Sequence, residues 1–307
     1  MVEEAKQEGV HSLRCAVFGV NGYLGSHVGQ ALLRQGHQVV GYDIQDQPEH
    51  ALSGYTRLQI EQDSDWAKFD GDVDAIFFFS GLTGTHQSFD QGRQYVNVNE
   101  GGLLRLCETL RQRGRTPRII FPSSRLVYKG SEQSLAEEAE KQTKTIYAVN
   151  KLACEGILQA YHVAFGIPYT VFRICVPYGA FVKSRRSYGT IGSFLQTAQG
   201  GRPIQLYGDG RQRRTVTHVA DLCGQMLGLV VKAESVAEVF NIGGEAYAVR
   251  EMAGRIADKY GVQVQCRDWP AADLRLESGS TVFDDSKAQR VQVYQRQYNF
   301  EQWVESL

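Results

Sequence analysis

Tyr147 and Lys151 lie four residues apart in TIYAVNKLACE, a stretch with no proline and no glycine. On a helix that spacing sets a phenol and an ammonium one turn apart on one face. Such a pair can be two ordinary neighbours, a packed ring beside a solvated amine. It can equally be an acid/base, because a nearby cation favours the phenolate. The spacing alone leaves both open. Two hydroxyls, Ser123 and Ser124, close the apolar run RIIFPSS. Nearer the N-terminus, Gly19-Val20-Asn21-Gly22-Tyr23-Leu24-Gly25 follows the apolar run LRCAVF. Glycines in such a turn let backbone approach a pyrophosphate, and a helix opening there supplies N–H donors and positive dipole. Asp43 ends the next apolar run, where a carboxylate accepts from a ribose 2′-OH and repels a 2′-phosphate. Ile44 and Gln45 follow it, with no Arg or Lys to meet a phosphate, which favours NAD over NADP.

These groups need elements to hold them. Residues 13–20 read as a buried strand, 25–36 as a helix ended by Gly36, and 37–44 as the next strand. VDAIFFFSG (73–81) and 118–124 read as strands, with a helix over 99–114 between them. Phe77, Phe78 and Phe79 are expected in the sheet core, one ring beside the cofactor. A long helix over 145–166 stops at Gly166 and Pro168, and YTVFRICVPYG (169–179) reads as one further strand. Strands alternating with helices predict an α/β fold, a Rossmann-type doubly wound parallel sheet. Past residue 180 the rhythm loosens. The division expected is a nucleotide-binding domain of residues 13–180 with 215–243, and a smaller substrate-binding region of 181–214 with 244–307. Residues 1–12 are polar and acidic, without the apolar core of a signal peptide, and read as a loose tail.

Composition narrows the function classes. Thirty-three basic against 34 acidic residues leave a net charge of −1, so no global field draws the chain to nucleic acid or a membrane surface. No apolar stretch is long enough to span a bilayer. The six cysteines are scattered, with no C-x-x-C pair, which argues against a disulfide scaffold or a zinc site. Buried free thiols in a reducing cytoplasm fit better. His86, His162 and His218 lack metal-ligand spacing, so no metal is expected, and Trp66, Trp269 and Trp303 are read as packing residues.

The GxxGxxG turn, the Ser pair and Tyr147-x-x-x-Lys151 together resemble the extended short-chain dehydrogenase/reductase family. More narrowly the chain is similar to its nucleotide-sugar epimerases, dehydratases and reductases, typified by UDP-galactose 4-epimerase. FFFSGLTGTHQS, Asn99 with Gly102, IIFPSSRLVY, YGDGRQRRTVTHVADL (207–222), VFNIGG (239–244) and Asp284-Asp285-Ser286-Lys287-Ala288 extend the resemblance over nearly the whole chain. It implies Tyr147 as the acid/base, Lys151 lowering its pKa and holding the nicotinamide ribose, and Ser124 bonding the reacting oxygen. It implies a cofactor site of Gly19, Asn21, Gly22, Tyr23, Leu24, Gly25, Asp43, Ser80, Gly81, Asn99 and Ser123, shared with Tyr147 and Lys151. It also implies a homodimer through helices holding 99–113 and 147–165.

The same resemblance sorts the reactions. Its dehydratases carry Asp-Glu after the catalytic hydroxyl residue; here Arg125 and Leu126 stand there, so water elimination lacks its carboxylates. An epimerase that keeps NAD bound is the leading expectation, and an NAD(P)H-dependent reductase of a nucleotide-linked 4-keto sugar the second. A non-enzymatic NAD-binding regulator is disfavoured because Ser124, Tyr147 and Lys151 are all present. The family's Arg-x-x-Asn-x-Tyr-Gly reads Arg173-Ile174-Cys175-Val176-Pro177-Tyr178-Gly179, so Val176 replaces an amide that meets the nucleotide diphosphate. Lys129 stands where Gly is common. Of the basic residues Lys183, Arg185, Arg186, Arg211, Arg213 and Arg214, most read as solvated surface. Arg214 matches the family's diphosphate-binding Arg, with Arg275 a second candidate; Arg125, Val176, Arg214 and Arg275 are thus the expected substrate contacts.

Overall fold

Seven parallel strands carry the fold: β1 (Arg14–Phe18), β2 (Gln38–Asp43), β3 (Gly54–Arg57), β4 (Ala75–Phe78), β5 (Arg118–Ser124), β6 (Tyr169–Ile174) and a later strand, Glu238–Asn241. From one edge they run Glu238–Asn241, β6, β5, β4, β1, β2, β3, so the order reverses between β1 and β4. This is the doubly wound Rossmann arrangement, and such sheets bind ligands at that reversal, outside the strands' carboxyl ends. The structure is a computed structural model that describes residues 12–182, 187 and 189–307. The expected tail, apart from Ser12, and Lys183, Arg185 and Arg186 lie outside those residues.

Central strands bury both faces, which is why they read as unbroken apolar runs. Phe18 and Phe78 pack with Leu103, Leu106 and Leu158 on one face, beneath helices Gly102–Gln112 and Ile146–Phe165. Val17 and Phe77 face the other way, with Val28, Leu32, Leu222 and Met226 from helices Tyr23–Arg34 and Val219–Val230. Full burial of each such Phe contributes about 1.5–3 kcal/mol. Phe77 and Phe78 are thus sheet core, while Phe79, just past β4, lines the cleft described below.

Two elements differ from expectation. The single strand over 169–179 breaks at Cys175. β6 stays in the large sheet, and β7 (Val176–Tyr178) leaves it to pair with β9 (Arg213–His218). Between them in sequence β8 (Ile204–Tyr207) pairs with Val264–Arg267, and β9 also pairs with Glu245–Ala248. Pro177 brings no N–H to a ladder, which suits a short strand in a small three-stranded sheet. Residues 176–178 and 215–218 therefore belong to the small sheet, and its apolar cluster includes Val176, Tyr178, Val216, Met252 and Phe300.

The helix expected from residue 99 is helical from Gly92 and contains a π turn, Val96–Gly101, before Gly102–Gln112. Asn99 sits inside that turn rather than at a helix start. The long helix follows expectation closely. Thr145 caps it, its Oγ1 accepting from Ala148 N at 3.1 Å, and Gly166 ends it at φ +69°. Among the described residues no helix is long and apolar enough to cross a membrane.

Candidate active site

The glycine turn is built by contact. Gly19 has φ +75°, and a Cβ on it would stand 2.8 Å from Ser80 N. A Cβ on Gly25 would collide with Gly19 O, so only glycine lets the first helix close on the strand end. Gly22 is less constrained, its nearest neighbour being Gly19 O at 3.1 Å. The N-terminus of the Tyr23–Arg34 helix opens directly onto this turn. Tyr23 reaches across to the second region, its hydroxyl donating to Gly179 O at 2.8 Å.

A cleft of about 370 Å³ runs from this turn along the strand ends, lined by Gly19, Gly22, Tyr23, Leu24, Gly25, Phe79, Ser80, Gly81, Ser123, Ser124, Tyr147, Lys151 and Cys175 among others. Most of the expected cofactor residues and all three expected catalytic residues thus meet on one hollow. A larger hollow of about 730 Å³ beside Gly179 and Trp303 holds none of them.

Three expected cofactor residues, Asn21, Asp43 and Asn99, are not among those that line the cleft. The Asp43 carboxylate accepts from Asn21 N at 3.0 Å and Ile44 N at 2.9 Å, tying the end of β2 to the glycine turn. The buried Asn21 amide holds the following loop, donating to Gln45 Oε1 and Gln47 O and accepting from Glu49 N. Asn99 grips the strand-end loop after β4, its Oδ1 accepting from Leu82 N at 2.7 Å and its Nδ2 donating to Leu82 O at 3.1 Å.

Tyr147 and Lys151 occupy one face of the capped helix, as their spacing predicts. Lys151 Nζ donates to Pro122 O at 2.6 Å and stands 5.6 Å from the Tyr147 ring centroid. Burial pulls its ammonium down to about 8. Ser124 Oγ accepts from Leu126 N at 3.2 Å, which leaves its own proton to donate into the cleft. Ser123 lines the cleft too, but its hydroxyl is bonded to the Glu155 carboxylate.

Glu155 was not singled out from the sequence, although it lies four residues past Lys151 on the same helix. It pairs with buried Arg173 at 2.6 Å. Arg173 also donates to Tyr128 Oη at 2.8 Å and Glu137 O at 2.7 Å, and Tyr128 donates to Asn241 Oδ1 at 2.7 Å. This buried network gives a structural purpose to the Tyr and Arg of two sequence motifs. It ties the Ile146–Phe165 helix to β5, β6 and the strand Glu238–Asn241.

The expected substrate contacts divide. Val176 is packed in the apolar cluster of the second region, so its side chain is core rather than cleft wall. Arg214 is 3% exposed; it pairs with Glu277 Oε1 at 2.6 Å and donates to the Arg213 and Gly279 carbonyls. Arg125 is half-buried nearby, and Arg275 is exposed on the short helix Ala271–Leu276. Cys175 lines the cleft, its Sγ 3.3 Å from Thr281 O; burial pushes its thiol up, and Arg125 and Arg214 oppose that shift. Lys129 is a surface residue paired with Glu140. All six cysteines are free; Cys266 is exposed rather than buried. His218 is packed, stacked on Tyr298 at 3.8 Å, and burial draws it down to about 4.

A glycine cradle with no room for a Cβ, a helix N-terminus aimed at it and a carboxylate tied to the same turn fit a dinucleotide. With Ser124, Tyr147 and Lys151 converging beside them, they define a site of the short-chain dehydrogenase/reductase type. Family comparison agrees. A sequence model of the NAD dependent epimerase/dehydratase family matches residues 15–243, and the chain belongs to that family. It is 26% identical over 298 residues to an uncharacterized UDP-glucose epimerase, YtcB, of Bacillus subtilis, covering 92% of each. It is 26% identical to the UDP-glucuronate 4-epimerase of Thermodesulfobacterium geofontis, covering 74% of each. Among solved structures, MoeE5 in complex with UDP-glucuronic acid and NAD superposes with a TM-score of 0.82 at 26% identity, over 95% of this chain and 96% of that one.

Proposed function

We propose that the chain is a nucleotide-sugar epimerase that uses bound NAD and inverts one sugar carbon, C4, through transient oxidation. The observation that carries this reading is the convergence of Ser124, Tyr147 and Lys151 on the cleft beside the glycine turn. NAD, when bound, supplies a hydride acceptor that later returns the hydride. Gly19, Gly22 and Gly25 would take its pyrophosphate, and Asp43 the adenosine ribose.

The rest is proton chemistry done by the chain. Tyr147 removes the proton of the sugar hydroxyl and later restores it. Lys151 offsets the charge that develops on the phenol oxygen. Ser124 donates to the same sugar oxygen, where alkoxide character develops, and a hydroxyl already aimed there needs no reorganisation. Arg125 and Leu126 offer no carboxylate for water elimination. Relatives whose names specify UDP sugars support a nucleotide-linked substrate. Val149, Val163 and Phe165, exposed on helix Ile146–Phe165, with Leu104 on the neighbouring helix, support a homodimer.

The test is to denature the purified protein and identify what it releases, then to offer sugar nucleotides without added reductant. We expect close to one NAD per chain and interconversion of epimers. A protein that is purified empty and consumes NADPH or NADH while reducing a 4-keto sugar would replace this reading with the reductase.

A further inference from the structure

Tyr147, Lys151 and Glu155 stand one turn apart on one face of the helix Ile146–Phe165. The last two both reach the end of β5. Lys151 Nζ donates to Pro122 O at 2.6 Å, and the Ser123 hydroxyl donates to Glu155 Oε1. A cation and an anion four residues apart thus grip consecutive residues of the strand, immediately before Ser124; consecutive Cα atoms are only about 3.8 Å apart. The anion is fixed in place. Arg173 on β6 holds both its oxygens, Nε to Oε1 at 3.1 Å and Nη2 to Oε2 at 2.6 Å. The two side chains of that pair are 6% and 10% exposed, so the fork is nearly dry.

A desolvated ammonium stays charged only where neighbouring anions and acceptors replace the lost water. Lys151 lies over the Phe121 and Tyr147 rings, at 4.5 and 5.6 Å from their centroids, with the Pro122 carbonyl as its acceptor. Other titratable groups packed near this face are engaged or uncharged. Glu100 takes the Asn150 amide, and burial pushes the Cys154 thiol up to about 12 and raises the Cys175 thiol as well. Arg173 is a like charge, but its fork is spent on Glu155. We infer that Glu155 is a positioning residue of the active site, whose carboxylate, fixed by Ser123 and Arg173, holds the Lys151 ammonium charged beside Tyr147. The inference rests on the reading above in one respect, that Lys151 serves Tyr147 as its cation. The coupling of Glu155 to Lys151 needs no substrate to be measured.

The experiment is an NMR titration of the purified protein carrying isotope-labelled lysine, the Lys151 signal being identified by its loss in Lys151→Met. The wild-type midpoint is expected near pH 8. Glu155→Gln keeps the shape and removes the anion, so Lys151 is expected to lose its proton about one pH unit or more lower. Ser123→Ala leaves the Glu155–Arg173 pair in place and is expected to lower the midpoint by less than Glu155→Gln does. If Glu155→Gln leaves Arg173 uncompensated and unfolds, Glu155→Leu with Arg173→Met replaces the whole pair by apolar groups. The same downward shift is expected there, because the lost charge nearer Lys151 is the one on its own helix. A midpoint that stays at the wild-type value, or rises, in the folded variant overturns the inference: a merely structural Glu155 would lower stability and leave Lys151 titrating as before. Full turnover in Tyr147→Phe together with a lowered midpoint in Glu155→Gln would sustain the coupling and remove the acid/base reading. An inactive Tyr147→Phe with an unmoved midpoint would do the reverse.

Discussion

At the scale of single residues, the chemistry was written in types and spacings, and the structure adds the direction each side chain faces. Tyr147, Lys151 and Ser124 meet on the cleft because a capped helix and a strand end bring them there. Tyr147→Phe removes one oxygen and leaves the ring's packing. It is expected to keep stability and bound dinucleotide while turnover drops about 10²- to 10⁴-fold, the usual share of a general acid/base. Turnover close to wild type would show that another group moves the proton. Lys151 gives a pH prediction. Its ammonium is drawn down to about 8, so it is charged below that pH and loses its charge as pH rises through it. The kcat/KM profile is therefore expected to fall on its alkaline side with a midpoint near pH 8, and Lys151→Met to be slow with that limb missing. A wild-type profile flat through that range would show that Lys151 keeps its proton.

What the sequence concealed at this scale was partnership. Ser123 and Ser124 are adjacent and alike and both line the cleft, yet one hydroxyl is unencumbered by an acid and the other serves Glu155. Arg214 matched a diphosphate motif, but Glu277, far along the chain, occupies it. Neither pairing has a local signature.

At the scale of elements, the first βα turn was legible because its constraint is steric and local. The Gly25 contact makes that constraint testable. Gly25→Ala places a methyl against Gly19 O, so the turn must open. The expected outcome is a loss of about 1–3 kcal/mol in denaturant unfolding, as for other overpacked sites, and protein purified with little or no dinucleotide. Thr145→Ala serves as the contrast. It removes the helix cap for about 1 kcal/mol and should leave cofactor content unchanged. If Gly25→Ala retained full cofactor, the turn would not be the pyrophosphate cradle. The π turn at Val96–Gly101 was not legible, because nothing in the pattern around Asn99 separates an inserted residue from regular helix. Its consequence is plain only in the contacts: Asn99 meets both polar groups of Leu82 and so fixes the loop that carries Ser80 and Gly81 into the cleft. The break at Cys175 was hidden for a similar reason. An apolar run of eleven residues reads as one strand, and only long-range pairing with β9 reveals two.

At the scale of the whole molecule, the doubly wound sheet followed from alternation of strands and helices, whereas the small sheet depends on pairings across long separations that leave no period. Assembly lies between these cases. Along the Ile146–Phe165 helix, Val149, Ala153, Gly156, Ala160 and Val163 recur at alternating steps of four and three, the spacing of a helix–helix seam. Val149 is 44% and Val163 79% exposed, and nothing lies within 4 Å of where a Gly156 Cβ would stand. On the neighbouring helical segment Val96 and Leu104 are exposed too, beside a shallow groove that reaches Ile146. A second copy presenting the same two helices would cover this face by two-fold symmetry, small residues against small residues. The proposed dimer predicts a sedimentation mass of two chains at micromolar concentration. Val149→Glu combined with Gly156→Glu is expected to give one chain, still folded, because both positions point away from the sheet. Tyr147, Lys151 and Glu155 lie on a different face of that helix, so the monomeric variant should also keep its dinucleotide. A wild type that sediments as one chain, or a double variant that still sediments as two, would remove this face from the assembly.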